Sequence, residues 1–100
     1  TDLLFVGNEL AALVETIECY DHILIENVAV ATNFQKRGYG RKMVAYVEQL
    51  ALEAGLGVVK LYTNSKFEEN LRLYKSLGYK IERKEAFNGG ISVHMLKHIV

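Results

Sequence analysis

The stretch from His22 to Ala31 is apolar on both sides of the chain, broken only by Glu26 and Asn27. It reads as a central strand covered from both sides, because a strand with one wet face alternates polar and apolar residues. Such a strand needs a sheet around it and helices upon the sheet. The rest of the pattern supplies both. Leu3 to Val6 predicts a short strand and Gly7-Asn8 a turn. Leu10 to Cys19, rich in Ala, Val, Ile and Thr without helical spacing, predicts the second arm of a hairpin. Further on, Met43, Val47, Leu50 and Ala54 fall on one helical face, with Arg41, Glu48, Gln49 and Glu53 towards solvent and Gly55 as the stop. Val58 to Thr63 is the next strand. Ser65 and Glu68 form an S-x-x-E capping box that opens a second helix, ending at Leu77 before Gly78. Lys80 to Phe87 and Ile91 to His98 are strands around an Asn88-Gly89-Gly90 turn. The order β-β-β-α-β-α-β-β implies an α/β (α+β) fold, a mixed, mostly antiparallel central sheet with helices packed on it.

A chain of 100 residues without proline, repeats or low-complexity tracts makes a single domain, residues 1–100. Thr1 stands directly before an apolar segment, which leaves open a segment preceding it. Half the residues are hydrophobic and 24% are charged, the balance of a soluble globular protein. No apolar run approaches the roughly 18 residues of a membrane span, and no signal-peptide pattern opens the chain. One cysteine, Cys19, excludes an internal disulfide framework and a zinc site of paired cysteines. It reads as a small buried apolar residue, and the compartment expected is the reducing cytoplasm. His22, His94 and His98 lack metal spacing, so no metal is expected, and the latter two read as edge or surface residues.

A net charge of zero disfavours a nucleic-acid partner, but it hides an asymmetry. Residues 1–35 hold six acids and no Lys or Arg, while residues 36–100 hold twelve Lys or Arg and six acids. The halves carry −6 and +6. This is either solvated charge or a site with one anionic and one cationic partner.

Gln35-Lys36-Arg37-Gly38-Tyr39-Gly40-Arg41 joins the central strand to the first helix. Its glycines allow a sharp turn and close approach of a ligand to the backbone. The free amides of a helix N-terminus point the same way, with the positive end of the helix dipole behind them. Lys36, Arg37, Arg41 and Lys42 add four positive charges without an acid among them. Together these describe a phosphate or pyrophosphate cradle. The residues alone also allow a plain basic strand-to-helix turn. A Walker A loop is absent, and a Rossmann fingerprint would need glycine where Met43 stands.

Gln35-x-x-Gly38-x-Gly40, after the strand Glu26-Asn27-Val28-Ala29-Val30, resembles the acetyl-CoA-binding motif of the GNAT superfamily of N-acetyltransferases. Leu73-Tyr74-Lys75-Ser76-Leu77-Gly78-Tyr79 resembles that family's second signature, a Leu-Tyr pair followed by Leu-Gly-aromatic. The resemblance covers about residues 3 to 98. Members usually begin with a strand and two helices that help shape the acceptor pocket, and this chain starts after them. Many carry Asn seven residues before the signature Tyr, where Phe67 stands here; Asn70, one turn before Tyr74, is the substitute amide.

The resemblance implies transfer of acetyl from acetyl-CoA to a primary amine by direct attack, both substrates being held at close range. Main-chain groups of Val28, Ala29 and Val30 would pair with the pantetheine arm like an added strand. The amide near Val30 would polarise the thioester carbonyl. Lys36, Arg37, Gly38, Tyr39, Gly40 and Arg41, with Gln35, would hold the pyrophosphate. Tyr74 matches the general acid that protonates the leaving thiolate. Glu26 is the candidate base, as a carboxylate on a buried strand has its pKa raised by desolvation; His22 is a second candidate. The acidic first third implies an acceptor, small molecule or peptide, that is cationic outside its reacting amine. The alternative is a non-catalytic acyl-CoA-binding or regulatory module. Oligomeric state, a homodimer included, stays open.

Overall fold

The computed structural model describes all of residues 1–100. Its elements follow in the order expected: β1 (Asp2–Val6), β2 (Glu9–Glu18), β3 (Ile23–Val30), α1 (Tyr39–Glu53), β4 (Val58–Asn64), α2 (Glu68–Ser76), β5 (Lys80–Phe87) and β6 (Gly90–His98). A 3₁₀ turn at Thr32–Phe34 precedes α1. The strands form one sheet in the spatial order β1-β2-β3-β4-β6-β5. Only β3 and β4 run parallel; every other pair is antiparallel. A parallel pair needs a crossover, and α1 supplies it.

Alternate residues of four strands fill the core. Ala12 and Val14, Ile23 and Ile25, Val59 and Leu61, and Val93 and Met95 pack with Met43, Val44, Val47 and Ala51 of α1 and with Tyr74 and Tyr79. The register puts these strand residues on a common face, with Ile25 beside Leu61 and Leu61 beside Met95. Both helices therefore lie on one side of the sheet. The expected double cover of β3 is not found. Being central gives β3 a neighbouring strand at each edge, not a helix layer on each face. Leu24 stays half-buried, and Glu26, Asn27 and Ala29 are exposed.

The helices end as glycine demands and begin otherwise than the sequence suggests. Gly78 has φ +98, and the N–H groups of Gly78 and Tyr79 reach back to the carbonyls of Lys75 and Tyr74 at 3.1 and 3.0 Å. This is a Schellman closure, whose usual apolar contact is here the edge-to-face pair Tyr74–Tyr79, 6.1 Å between centroids. The Leu-Gly-Tyr signature is thus first of all a helix stop. Gly55 ends α1 in the same geometry. Ala54, now a cap residue, is exposed, so Ala51 and not Ala54 completes the buried stripe. Glu48 is not turned to solvent. It accepts bonds from the Tyr79 hydroxyl (2.9 Å) and Lys97 Nζ (3.0 Å), tying α1 to β6.

The capping box does not form. Phe67 is the N-cap of α2, without a side-chain bond, because Ser65 is still held by the sheet through its N–H to Ile91 O at 2.8 Å. Asn64 Oδ1 accepts from the Lys66 amide instead, at 2.9 Å. Cys19 is only partly buried. No helix is long and apolar enough to cross a membrane.

Candidate active site

β3 and β4 stay paired for three residues only: Ile23 with Val59, Leu24 with Lys60, Ile25 with Leu61. Beyond that point β4 follows β6 as far as Asn64 opposite Ser92, and β3 follows β2 as far as Val30 opposite Ala12. The cause is local. In the β2–β3 ladder Thr16 faces Ile25 and Glu15 faces Asn27, so Glu26 is an extra residue. A bulge of this kind bends its strand and re-aims side chains. The two strands part, and each presents an edge with unspent backbone groups.

The gap between them is a slot of about 340 Å³. From the helix side it is lined by Tyr74, Phe67 and Asn70; from the strands by Glu26, Asn27, Val28 and Tyr62, and beyond them by Phe87 and Ser92. Tyr74 is 8% exposed overall. Its hydroxyl makes no hydrogen bond within the protein and is not an occluded polar atom, so it opens on the slot. Burial raises its pKa above the ordinary tyrosine value, keeping the phenol protonated. It is at once a core aromatic and a protonated phenol at a cavity wall.

A second hollow of about 360 Å³ continues along β3 and α2, bordered by Val30, Leu73, Gln35, Lys36, Gly38 and Arg41 with neighbours. Six successive amides, residues 36–41, donate no hydrogen bond within the protein. Gly38 is the N-cap of α1 with φ +83, and the first turn has neither a capping side chain nor an acid. Five of these six residues border the hollow, with the helix dipole behind them and Lys36 and Arg41 at its rim, as anion binding requires. A Cβ on Gly38 would meet no protein atom within 4 Å, so the space beside it is open to a ligand.

The predicted residues divide. Tyr74, Glu26, Val28 and Asn70 meet in the slot; Val30, Gln35, Lys36, Gly38, Tyr39, Gly40 and Arg41 meet in the hollow. Arg37 does neither, its guanidinium lying over the Phe34 ring at 5.7 Å. Ala29 pairs with Leu13 on the opposite face and lines neither hollow. Gln35 braces the turn by donating to Val30 O at 3.2 Å. Val30 borders the hollow and not the slot, whereas Asn27 and Val28 line the slot with Tyr74. Glu26 is exposed, so the buried setting expected for a general base is missing. His22 is bonded through Nδ1 to Asp21 Oδ1 at 2.6 Å and does not line the slot. Tyr62, Phe87 and Ser92 were missed, because only the β4–β6 and β5–β6 registers bring them to the slot.

Residues 3–79 match the family model described as Acetyltransferase (GNAT) family. The chain belongs to the GNAT acetyltransferases. Within that family, the curated protein YvbK of Bacillus subtilis, described as an uncharacterized N-acetyltransferase, is 27% identical over 79 residues, 78% of this chain. The match takes in 51% of YvbK, so the chain spans about half that relative's length. The GNAT fold is shared with the ribosomal-protein-S18-alanine N-acetyltransferase of Escherichia coli at TM-score 0.87 and 21% identity, over 97% of this chain and 66% of that one. A Bacillus subtilis acetyltransferase solved with CoA gives TM-score 0.83 and 21% identity, over 96% and 74% of the two chains.

Proposed function

We propose that this GNAT domain transfers acetyl from acetyl-CoA to a primary amine by direct attack. The observation that carries this reading is the adjacency of two features along β3 and α2: unpartnered amides over an anion hollow, and a slot into which Tyr74 directs a protonated hydroxyl. Acetyl-CoA supplies an acetyl thioester. The amides of residues 36–41 hold its pyrophosphate, and the free edge of β3 pairs with the pantetheine arm. The amide of Val28, on the free edge of β3, polarises the carbonyl. Tyr74 Oη gives its proton to the departing sulfur as the C–N bond forms and the C–S bond breaks. The proton shed by the amine returns through water to the phenolate.

The test combines thiol release from acetyl-CoA with a panel of amines and the variant Tyr74→Phe, which keeps the ring and deletes the donor. Turnover should fall roughly 10²-fold, at the low end for general acids, with CoA affinity and Tm nearly unchanged. Turnover that survives in Tyr74→Phe refutes the acid role. Tight CoA binding without thiol release from any amine leaves an acyl-CoA-binding module and refutes the transferase.

A further inference from the structure

We infer that the acceptor side of the slot selects an amine carrying a second positive charge, an inference that rests on the transferase reading above. Tyr62 lies opposite His94, and Asn64 opposite Ser92, on the sheet face turned away from the helices. Ser92 lies opposite Glu85, which puts Phe87, two residues on, on that same face. The slot therefore passes through the sheet, with Tyr74 at the helix side and Tyr62, Phe87 and Ser92 at the other. Glu26, lifted out of the ladder by the bulge, is the only carboxylate that lines it, and no Lys, Arg or His lines it. Behind the lining, His94 packs on Tyr62 at 5.8 Å between ring centroids, 3.5 Å from Ser92 Oγ and 3.8 Å from the Glu85 carboxylate. The neighbouring Lys and Arg are engaged elsewhere. Lys60 pairs with Glu82 at 3.6 Å, Arg83 pairs with Glu85 at 2.6 Å, and Lys66 lines a separate hollow on α2.

A carboxylate in a slot walled by the partly exposed rings of Tyr62 and Phe87, with no Lys or Arg in its lining, recognises an ammonium by charge and by cation–π attraction. The reacting amine must lose its proton to attack, so it cannot be the group held this way. The held charge belongs to a second ammonium on the same molecule, as in an alkyl diamine or a lysyl peptide. The two hollows then have opposite sign, one for the anionic diphosphate and one for the cationic acceptor. Glu26 is thereby assigned to specificity, not to proton removal.

The experiment compares three amines of equal chain length: an alkyl diamine, an alkyl monoamine and an ω-amino carboxylate. Each is measured twice on the intact protein, by thiol release with acetyl-CoA and by calorimetric binding in the presence of CoA. The diamine should lead the monoamine by roughly tenfold in both, from one exposed ion pair and one or two cation–π contacts, and the carboxylate should be poorest. The lead should shrink with added salt and collapse towards unity in Glu26→Gln and in Phe87→Leu. Equal binding of the three amines overturns the inference, as does a diamine lead that persists in Glu26→Gln. A loss of turnover in Glu26→Gln that is the same for diamine and monoamine makes Glu26 a base and also overturns it. Absence of thiol release from every amine counts against the transferase reading alone, since binding still reports the preference.

Discussion

Replacing Gly38 by aspartate and by asparagine separates the charge of the cradle from its shape. Both side chains tolerate the left-handed region better than other residues, so the φ of +83 burdens the two variants alike, by about 1 kcal/mol. The Cβ of each has open space, as no atom beyond the adjoining residues lies within 4 Å of a Cβ built there. They differ by one negative charge at the N-cap of α1, beside six amides without partners. Two like charges about 6 Å apart repel by about 0.7 kcal/mol in water and about 3 kcal/mol at an effective dielectric of 20. The half-open hollow lies between these limits. CoA affinity should therefore be roughly 3- to 150-fold weaker in Gly38→Asp than in Gly38→Asn, and the gap should narrow with salt. Calorimetry with CoA reads it directly, and thermal melts of both variants confirm that they fold equally. Equal CoA affinity in two folded variants refutes an anion cradle at the start of α1.

Other outcomes follow from the same geometry. Gly78→Ala should cost about 1–2 kcal/mol, since φ is +98 and the new Cβ would come 3.3 Å from Lys97 Cε; an unchanged denaturant midpoint would contradict the Schellman closure. Leu61→Ala removes a side chain 1% exposed at the last β3–β4 pair and should cost about 2–5 kcal/mol in chemical denaturation. Burial raises the pKa of both Tyr74 and Tyr79, and the Glu48 carboxylate raises Tyr79 further. The stabilisation tied to these phenols is complete below the unfolded value of about 10 and is lost as pH rises through the folded values. Stability should thus decline above about pH 10, less steeply in Tyr79→Phe, as read from urea midpoints; a flat profile would contradict the buried phenols.

Periodicity exposed the strands, their order and the helix stops, because alternation and glycine are local signals. It could not expose Glu26 as an extra residue, since a bulge is defined by the partner strand and leaves no mark on one strand's pattern. The apolar run of β3 reads as two covered faces, although a central strand with one helix layer carries a similar run. Ser65 and Glu68 have capping-box spacing, but the sheet holds Ser65 by its amide to Ile91, and that long-range bond is invisible to a four-residue motif. In the site, Gly38, Gly40 and Tyr74 were legible from motifs whose spacing is set within a turn or a helix. Tyr62, Phe87 and Ser92 were not, because sheet register alone assembles the far wall of the slot.

The short β3–β4 ladder also bears on how the molecule holds together. The sheet is in effect two three-stranded antiparallel halves, β1-β2-β3 and β4-β6-β5, stitched by three residue pairs and by α1 spanning the seam. A ligand that lies along the parted edges completes the missing rungs and works as a removable strand. Its binding energy then appears as cohesion between the halves, amounting to about 2.7 kcal/mol when the ligand stands at 100 times its Kd. Hydrogen exchange should report this most strongly in those amides of residues 26–30 and 62–64 that face the seam and not β2 or β6, which would pass from open to protected as CoA is added.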